Sequence, residues 1–323
     1  MTKLAYIFPG QASQYAGMGK DLFDNYDVAR QVFEEADDAL GFSISQMCFE
    51  GSTEDLQLTE NTQPAILTVS VAAFRAMMLE GFPKPDYVAG HSLGEYSALV
   101  AAGGLSLSDA VKTVRVRGRY MQEAVPVGVG AMAAILGAEM NVIEEACKES
   151  AQGQICSAAN INSNGQVVIA GNAEAIDRAC VLLKESGAKR AMKLPVSAPF
   201  HCELMKPAQE RLTTDLDAVT FNALEFPLVT NVDAAPNSDG DLARDALKRQ
   251  VTAPVRWLES IELLLNEDIE TFVEIGPGKV LCGIGRQIKR DARWLNVEGS
   301  ASLNATKEAL KQNEEVLSFE SNA

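Results

Sequence analysis

Histidine is scarce in this chain: only His91 and His201 occur among 323 residues. A multi-histidine metal centre is thereby excluded, and any imidazole chemistry must use one of these two. Cysteine occurs six times, at Cys48, Cys147, Cys156, Cys180, Cys202 and Cys282, but never as C-x-x-C. That spacing fits neither a zinc site nor the dense framework of a small secreted disulfide protein. Basic residues are in deficit, 28 Lys and Arg against 44 Asp and Glu, for a formal net charge of −16. Sequence-independent nucleic-acid binding needs a cationic face to displace counterions, so this balance argues against it. Long apolar runs are missing too, and no stretch approaches the ~18–20 continuous apolar residues of a membrane span. The apolar start ends at Pro9-Gly10, too early for a signal-peptide core. A reducing, cytoplasmic setting is the resulting expectation.

What is present is ordinary globular composition, 47% hydrophobic and 22% charged. The length suggests roughly two domains at about 150 residues each. Short β-type runs alternate with longer amphipathic stretches, which predicts an α/β architecture with a mainly parallel sheet. Strands are expected at Leu4–Phe8, Tyr87–Gly90 and Thr271–Ile275, and helices at Thr62–Leu79, Leu93–Ala102 and about Ser108–Ala124. The middle differs. Ala131–Leu136, Val142–Ser150, Ile155–Asn160, Gln166–Ala170, Glu174–Ser186 and Arg190–Pro195 follow the order βαββαβ, a ferredoxin-like pattern. The expected division is a large α/β domain over 1–127 and 196–312, an inserted subdomain over 128–195, and an acidic tail over 313–323.

Gly90-His91-Ser92-Leu93-Gly94 matches G-x-S-x-G between an expected strand and an expected helix. A nucleophile elbow requires that setting, because the sharp turn exposes the serine Oγ and its glycines avoid collision. The N–H of Leu93, at the helix start, is placed to donate to an oxyanion. Serine needs a general base, and His91 on so tight a turn would point elsewhere. By elimination the base is His201, in a loop after a strand end. Cys202 is a rival nucleophile, but it lacks an elbow, and buried free cysteine is more often packing. Arg117 lies at the edge of the apolar arc of Val114, Gly118 and Met121, whereas Arg115 and Arg119 point away. An inward arginine needs an anion, either an internal carboxylate or a substrate carboxylate held bidentately. The glycine turn of Phe8–Gln14 is a candidate second oxyanion donor. Neither Gly276-Pro277-Gly278 nor Gly283-x-Gly285 completes a nucleotide-binding motif.

These residues resemble the malonyl-CoA:acyl-carrier-protein transacylases of type II fatty acid synthesis. The matching stretches are Phe8–Gln14, Thr62-Gln63-Pro64-Ala65, Gly90–Glu95, Arg117–Met121, Phe200-His201, Gln250 with Pro254-Val255-x-Trp257, and Glu274–Gly278, in the family's order. The resemblance implies a hydrolase-like α/β core with a ferredoxin-like insertion. It implies Ser92 as nucleophile, His201 as base, the N–H groups of Gln11 and Leu93 as oxyanion hole, and Arg117 as reader of the malonyl carboxylate. It implies that the backbone carbonyl of Gln250 orients the histidine, with Gln63, Met121 and Phe200 lining the site. Malonyl would pass from malonyl-CoA through a malonyl-serine to the phosphopantetheine thiol of acyl carrier protein, with no bound cofactor or metal. A monomer is expected. Arg286, Lys289, Arg290, Arg293, Lys189, Arg190 and Lys193 form the candidate basic docking patch for an acidic carrier protein. Rival expectations are a serine hydrolase or thioesterase, for which Asp177 would have to serve as the triad acid, a polyketide-type acyltransferase, and a non-catalytic carrier-binding protein.

Overall fold

A computed structural model describes residues 3–196 and 198–320, with 313–320 as backbone alone. The chain forms strands β1 (Leu4–Phe8), β2 (Tyr87–Gly90), β3 (Gly130–Leu136), β4 (Cys156–Ser163), β5 (Gln166–Asn172), β6 (Arg190–Lys193), β7 (Leu228–Val229), β8 (Pro236–Asn237), β9 (Thr271–Ile275) and β10 (Arg293–Val297). Six of them make one sheet in the order β10-β9-β1-β2-β7-β8, parallel except for β8. All five residues of β1 are buried. Its unbroken apolar run suits an inner parallel strand covered on both faces. The other four strands make an antiparallel sheet in the order β4-β5-β3-β6. With helices Met140–Ala151 and Ala173–Glu185 they give the βαββαβ unit of the expected insertion. The architecture is therefore a mostly parallel α/β core with a ferredoxin-like insertion.

The ends of β4 differ from expectation. Polar Asn160 and Asn162 break its alternation, yet the strand continues to Ser163. Irregularities between Ala158 and Asn160 and between Ile161 and Ser163 keep it paired to β5. Its outer edge is covered by the segment around Val255: Ile161 N–H donates to Val255 O at 2.9 Å, and Val255 N–H to Ala159 O at 2.8 Å. The C-terminal stretch differs too. Helix Ser300–Glu320 takes in most of the expected tail, and residues 321–323 lie outside those described.

Most of helix Thr59–Leu79 is buried, from Thr59 through Met77, and Leu79 at its C-terminal end is exposed. The helix is long and apolar enough to cross a membrane by length and composition, but its most apolar stretch is 78% buried inside the protein. It packs against helix Leu107–Glu123, which begins at a Ser106 cap accepting Asp109 N–H at 3.0 Å. The approach is close because Gly118 faces Thr59. A Cβ there would stand 2.5 Å from the Thr59 carbonyl oxygen. Gly283, in helix Val280–Ile288, faces open space instead. In urea denaturation, Gly283→Ala should gain up to ~1 kcal/mol from helix propensity. Gly118→Ala should lose about 1–3 kcal/mol, because overpacking against backbone outweighs that gain. Equal shifts in the two variants would contradict this packing.

Candidate active site

In parallel α/β sheets, ligands bind beyond the carboxyl ends of the strands. Here the segments leaving β1, β2 and β7 carry Gln11, Ser92 and Asn231 to that edge. The turn after β2 is extremely crowded. A Cβ on Gly90 would lie 2.0 Å from the Gly94 carbonyl, and one on Gly94 would lie 2.0 Å from the Phe8 carbonyl oxygen. Ser92 adopts a left-handed φ of 50°, which is strained for a residue with a side chain. The Asn231 amide clamps that turn. Its Oδ1 accepts Ser92 N–H at 2.7 Å, and its Nδ2 donates to Gly90 O at 2.7 Å.

Ser92 Oγ lies 2.7 Å from His201 Nε2, and His201 Nδ1 lies 2.9 Å from the Gln250 backbone carbonyl. The carbonyl can only accept, so Nδ1 carries the proton and Nε2 is left to take the serine's. His201 also has a left-handed φ, 59°, and is 4% exposed. Burial first, then the positive charge of Arg117, push its pKa down to about 3. The imidazole is therefore neutral and free to accept a proton. His91 turns away, as its position on the elbow suggested. Its Nε2 sits 2.9 Å from Asn162 Oδ1 on β4, and its ring lies against Trp257.

Arg117 is 1% exposed. Its Nη1 donates to Gln63 Oε1 at 2.7 Å, and its Nη2 to Gln250 Oε1 at 2.9 Å and Ser92 Oγ at 3.1 Å. All three partners are neutral. Among the described residues its Nε has no partner, and no carboxylate pairs with the guanidinium. Of the two anions considered for it, an internal carboxylate is thus not in contact. Burial lowers its pKa.

A cavity of about 250 Å³ opens over these groups, lined by Gln11, Gln63, Ser92, Arg117, Met121, Phe200 and His201. Its roof comes from the small sheet, including Met132 of β3, Asn160 and Asn162 of β4, and Val168 of β5. Among the described residues, no acceptor takes the N–H of Gln11 or Leu93.

The other candidates fall away from the centre. Cys202 is buried, its thiol points at Pro199 O, 3.1 Å away, and burial pushes its pKa up to about 12. It carries no thiolate at neutral pH. Asp177 bonds Lys193 at 2.8 Å on the insertion helix, so the orienting group on His201 is a carbonyl rather than a carboxylate. Among the described residues, no group of three or more His, Cys, Asp or Glu could hold a metal ion. Of the basic candidates, Arg286, Lys289, Arg290, Lys189 and Arg190 are exposed. Lys193 is exposed but paired with Asp177. Arg293 is half-buried and donates to the Ala309 carbonyl, so its charge is committed to helix packing. Sequence reasoning missed Asn231 and the role of Glu95. Asn231 follows the two-residue β7, which offers no periodicity. Glu95 closes the elbow motif but carries no signal of what it touches.

The acyl transferase domain model matches residues 5–316. The malonyl CoA-acyl carrier protein transacylase of Escherichia coli (strain K12) is 50% identical over 288 residues, covering 89% of this chain and 93% of that protein. An acyl carrier protein S-malonyltransferase from Vibrio cholerae O1 superposes with a TM-score of 0.93 at 48% identity, covering 94% of this chain and all of that one. A malonyl-transacylase solved in complex with a type II PKS acyl-carrier protein also gives 0.93, at 45% identity over 95% of this chain and all of that one. With this agreement in sequence and fold, the chain belongs to the malonyl-CoA:acyl-carrier-protein transacylase family, within the acyl transferases.

Proposed function

We propose that this protein moves a malonyl group from malonyl-CoA to the phosphopantetheine thiol of acyl carrier protein, through a malonyl ester on Ser92. One observation carries the choice of acyl group: a buried guanidinium with only neutral partners stands 3.1 Å from the Ser92 Oγ. An unpaired buried cation is unfavourable, and a carboxylate two carbons from the reacting carbonyl supplies its anion. His201 takes the serine proton as Oγ attacks the thioester. The N–H groups of Gln11 and Leu93 hold the oxyanion, and losing one such donor typically costs about 10²–10³ in rate. CoA leaves with the proton, the carrier thiol enters, and His201 deprotonates it for the second transfer. Carboxylate binding also neutralises Arg117, so its depression of the His201 pKa lessens when malonyl is bound. Thioester-for-thioester exchange is nearly isoenergetic, so no cofactor is needed.

A thioesterase reading has less support, because no carboxylate orients His201 and Arg117 would lack an anion with a neutral acyl chain. The protein would act in the cytoplasm as a monomer, with the insertion over 128–195 closing the acyl site against the large domain. The carrier would dock on Arg286, Lys289, Arg290, Lys189 and Arg190, a basic patch on an otherwise acidic chain.

Ser92→Ala should abolish radiolabelled acyl-enzyme, and a label on Cys202 would contradict the serine assignment. Arg117→Ala should cut malonyl transfer by on the order of 3–5 kcal/mol of transition-state stabilisation. Acetyl transfer should hold or rise, and equal losses for both donors would remove Arg117 as carboxylate reader. Charge reversal at Lys289 and Arg290 should raise KM for carrier protein and leave malonyl-CoA loading intact. Unchanged carrier kinetics would remove this patch.

A further inference from the structure

Gln250 does two things at once in this site. Its backbone carbonyl receives His201 Nδ1, while its side-chain Oε1 receives Arg117 Nη2 at 2.9 Å. The second contact exists only if the amide faces one way. Rotated by half a turn, the amide would present its NH₂ to the guanidinium, donor against donor. The three acceptors around Nε2 fix the orientation: Glu95 Oε2 at 2.9 Å, Ser92 O at 3.0 Å and Asn231 Oδ1 at 3.3 Å. Of these, only Glu95 can carry charge, and charge-assisted hydrogen bonds are roughly twice as strong as neutral ones.

Glu95 is itself tightly held. It is wholly buried, and its Oε2 also accepts the Asn231 N–H at 2.9 Å. Its Oε1 has no partner among the described residues. A carboxyl group so enclosed is unfavourable as packing alone. It sits one amide away from the buried cation, close enough to act on Arg117 without touching it.

We infer that Glu95 is a positioning residue for acyl selectivity, which locks the Gln250 amide so that its oxygen aims Arg117 at the substrate carboxylate. This rests on Arg117 being the carboxylate reader. The chain of contacts runs Glu95, Gln250, Arg117. Gln250 and Arg117 also touch His201 and Ser92, so the role of Glu95 is read as a ratio between acyl groups rather than as a single rate.

Titration offers a check without mutation. Burial raises the Glu95 pKa to about 7, with hydrogen bonds from Asn231 and Gln250 and the charge of Arg117 opposing that rise. The titratable or charged groups facing it are Tyr96 on its own helix, Arg117 on helix Leu107–Glu123, and Asp233 in the loop after β7. Tyr96 is held neutral by burial, and Asp233 stays ionised against Arg249. In the empty site His201, at about 3, is neutral over this range, held so first by burial. A malonyl carboxylate of ordinary pKa near ~4 also stays ionised from about pH 6 upwards. Between about pH 6 and about pH 8, the main change in this network is therefore at Glu95.

The test is the ratio of malonyl to acetyl loading on Ser92, measured with malonyl-CoA and acetyl-CoA on intact enzyme. Glu95→Gln keeps the shape and removes the charge, and should lower that ratio about tenfold at about pH 8. In an Arg117→Ala background the same substitution should change nothing further. In the native enzyme the ratio should rise from about pH 6 to about pH 8, and this rise should vanish in Glu95→Gln. The native profile keeps the inference testable if Glu95→Gln does not fold. Equal losses in both loading rates, or a native ratio flat across that range, would overturn the role of Glu95. If Arg117→Ala alone leaves the ratio untouched, the carboxylate-reader role fails and this inference with it. If Arg117→Ala collapses the ratio and Glu95→Gln does not, only the inference fails.

Discussion

A buried arginine without a carboxylate partner is the constraint around which this site is built. The fold places the Arg117 guanidinium out of water, yet gives it only amide and hydroxyl oxygens as acceptors. Neutral hydrogen bonds soften the desolvation penalty without cancelling the charge. The site is thus complementary to a small acyl group that ends in an anion. Other features follow from the same cation. It lowers the basicity of His201, it contacts Ser92 Oγ, and it donates to the amide oxygens of Gln63 and Gln250.

That arrangement depends on backbone approaching backbone where side chains would not fit. Gly118 lets the arginine helix settle against Thr59, bringing Arg117 to Gln63. Gly90, Gly94 and Gly10 let the elbow pack against the end of β1, so that Ser92 emerges beside Gln11. The strained φ at Ser92 is compensated by the Asn231 clamp on both sides of the turn. Stability spent on glycines and strain is returned as a rigid nucleophile.

Much of this was legible in the sequence, and the reasons are physical. Strand β1 begins and ends where its apolar run does, because an inner parallel strand is covered on both faces. The insertion declared itself by its alternation of periods. Arg117 was singled out by its place on an amphipathic helix, and the choice of His201 was forced by scarcity. What escaped depends on contacts between distant residues with no local pattern. Asn231 meets Ser92 across 139 positions, and Gln250 meets Glu95 across 155. Neither polar residue differs locally from a solvated one. Strand β4 was cut short for a related reason: Asn160 and Asn162 look like turn residues until the cavity they line is known.

Acyl choice is the central claim, and intact mass spectrometry of the native enzyme tests it most directly. The enzyme would be mixed with malonyl-CoA and acetyl-CoA in equal amounts, without carrier protein, and the adduct mapped by peptide. The account predicts one malonyl group, on the peptide containing Ser92, with acetyl a minor species. Acetyl and malonyl in comparable amounts on Ser92, or an adduct on any other residue, would contradict it.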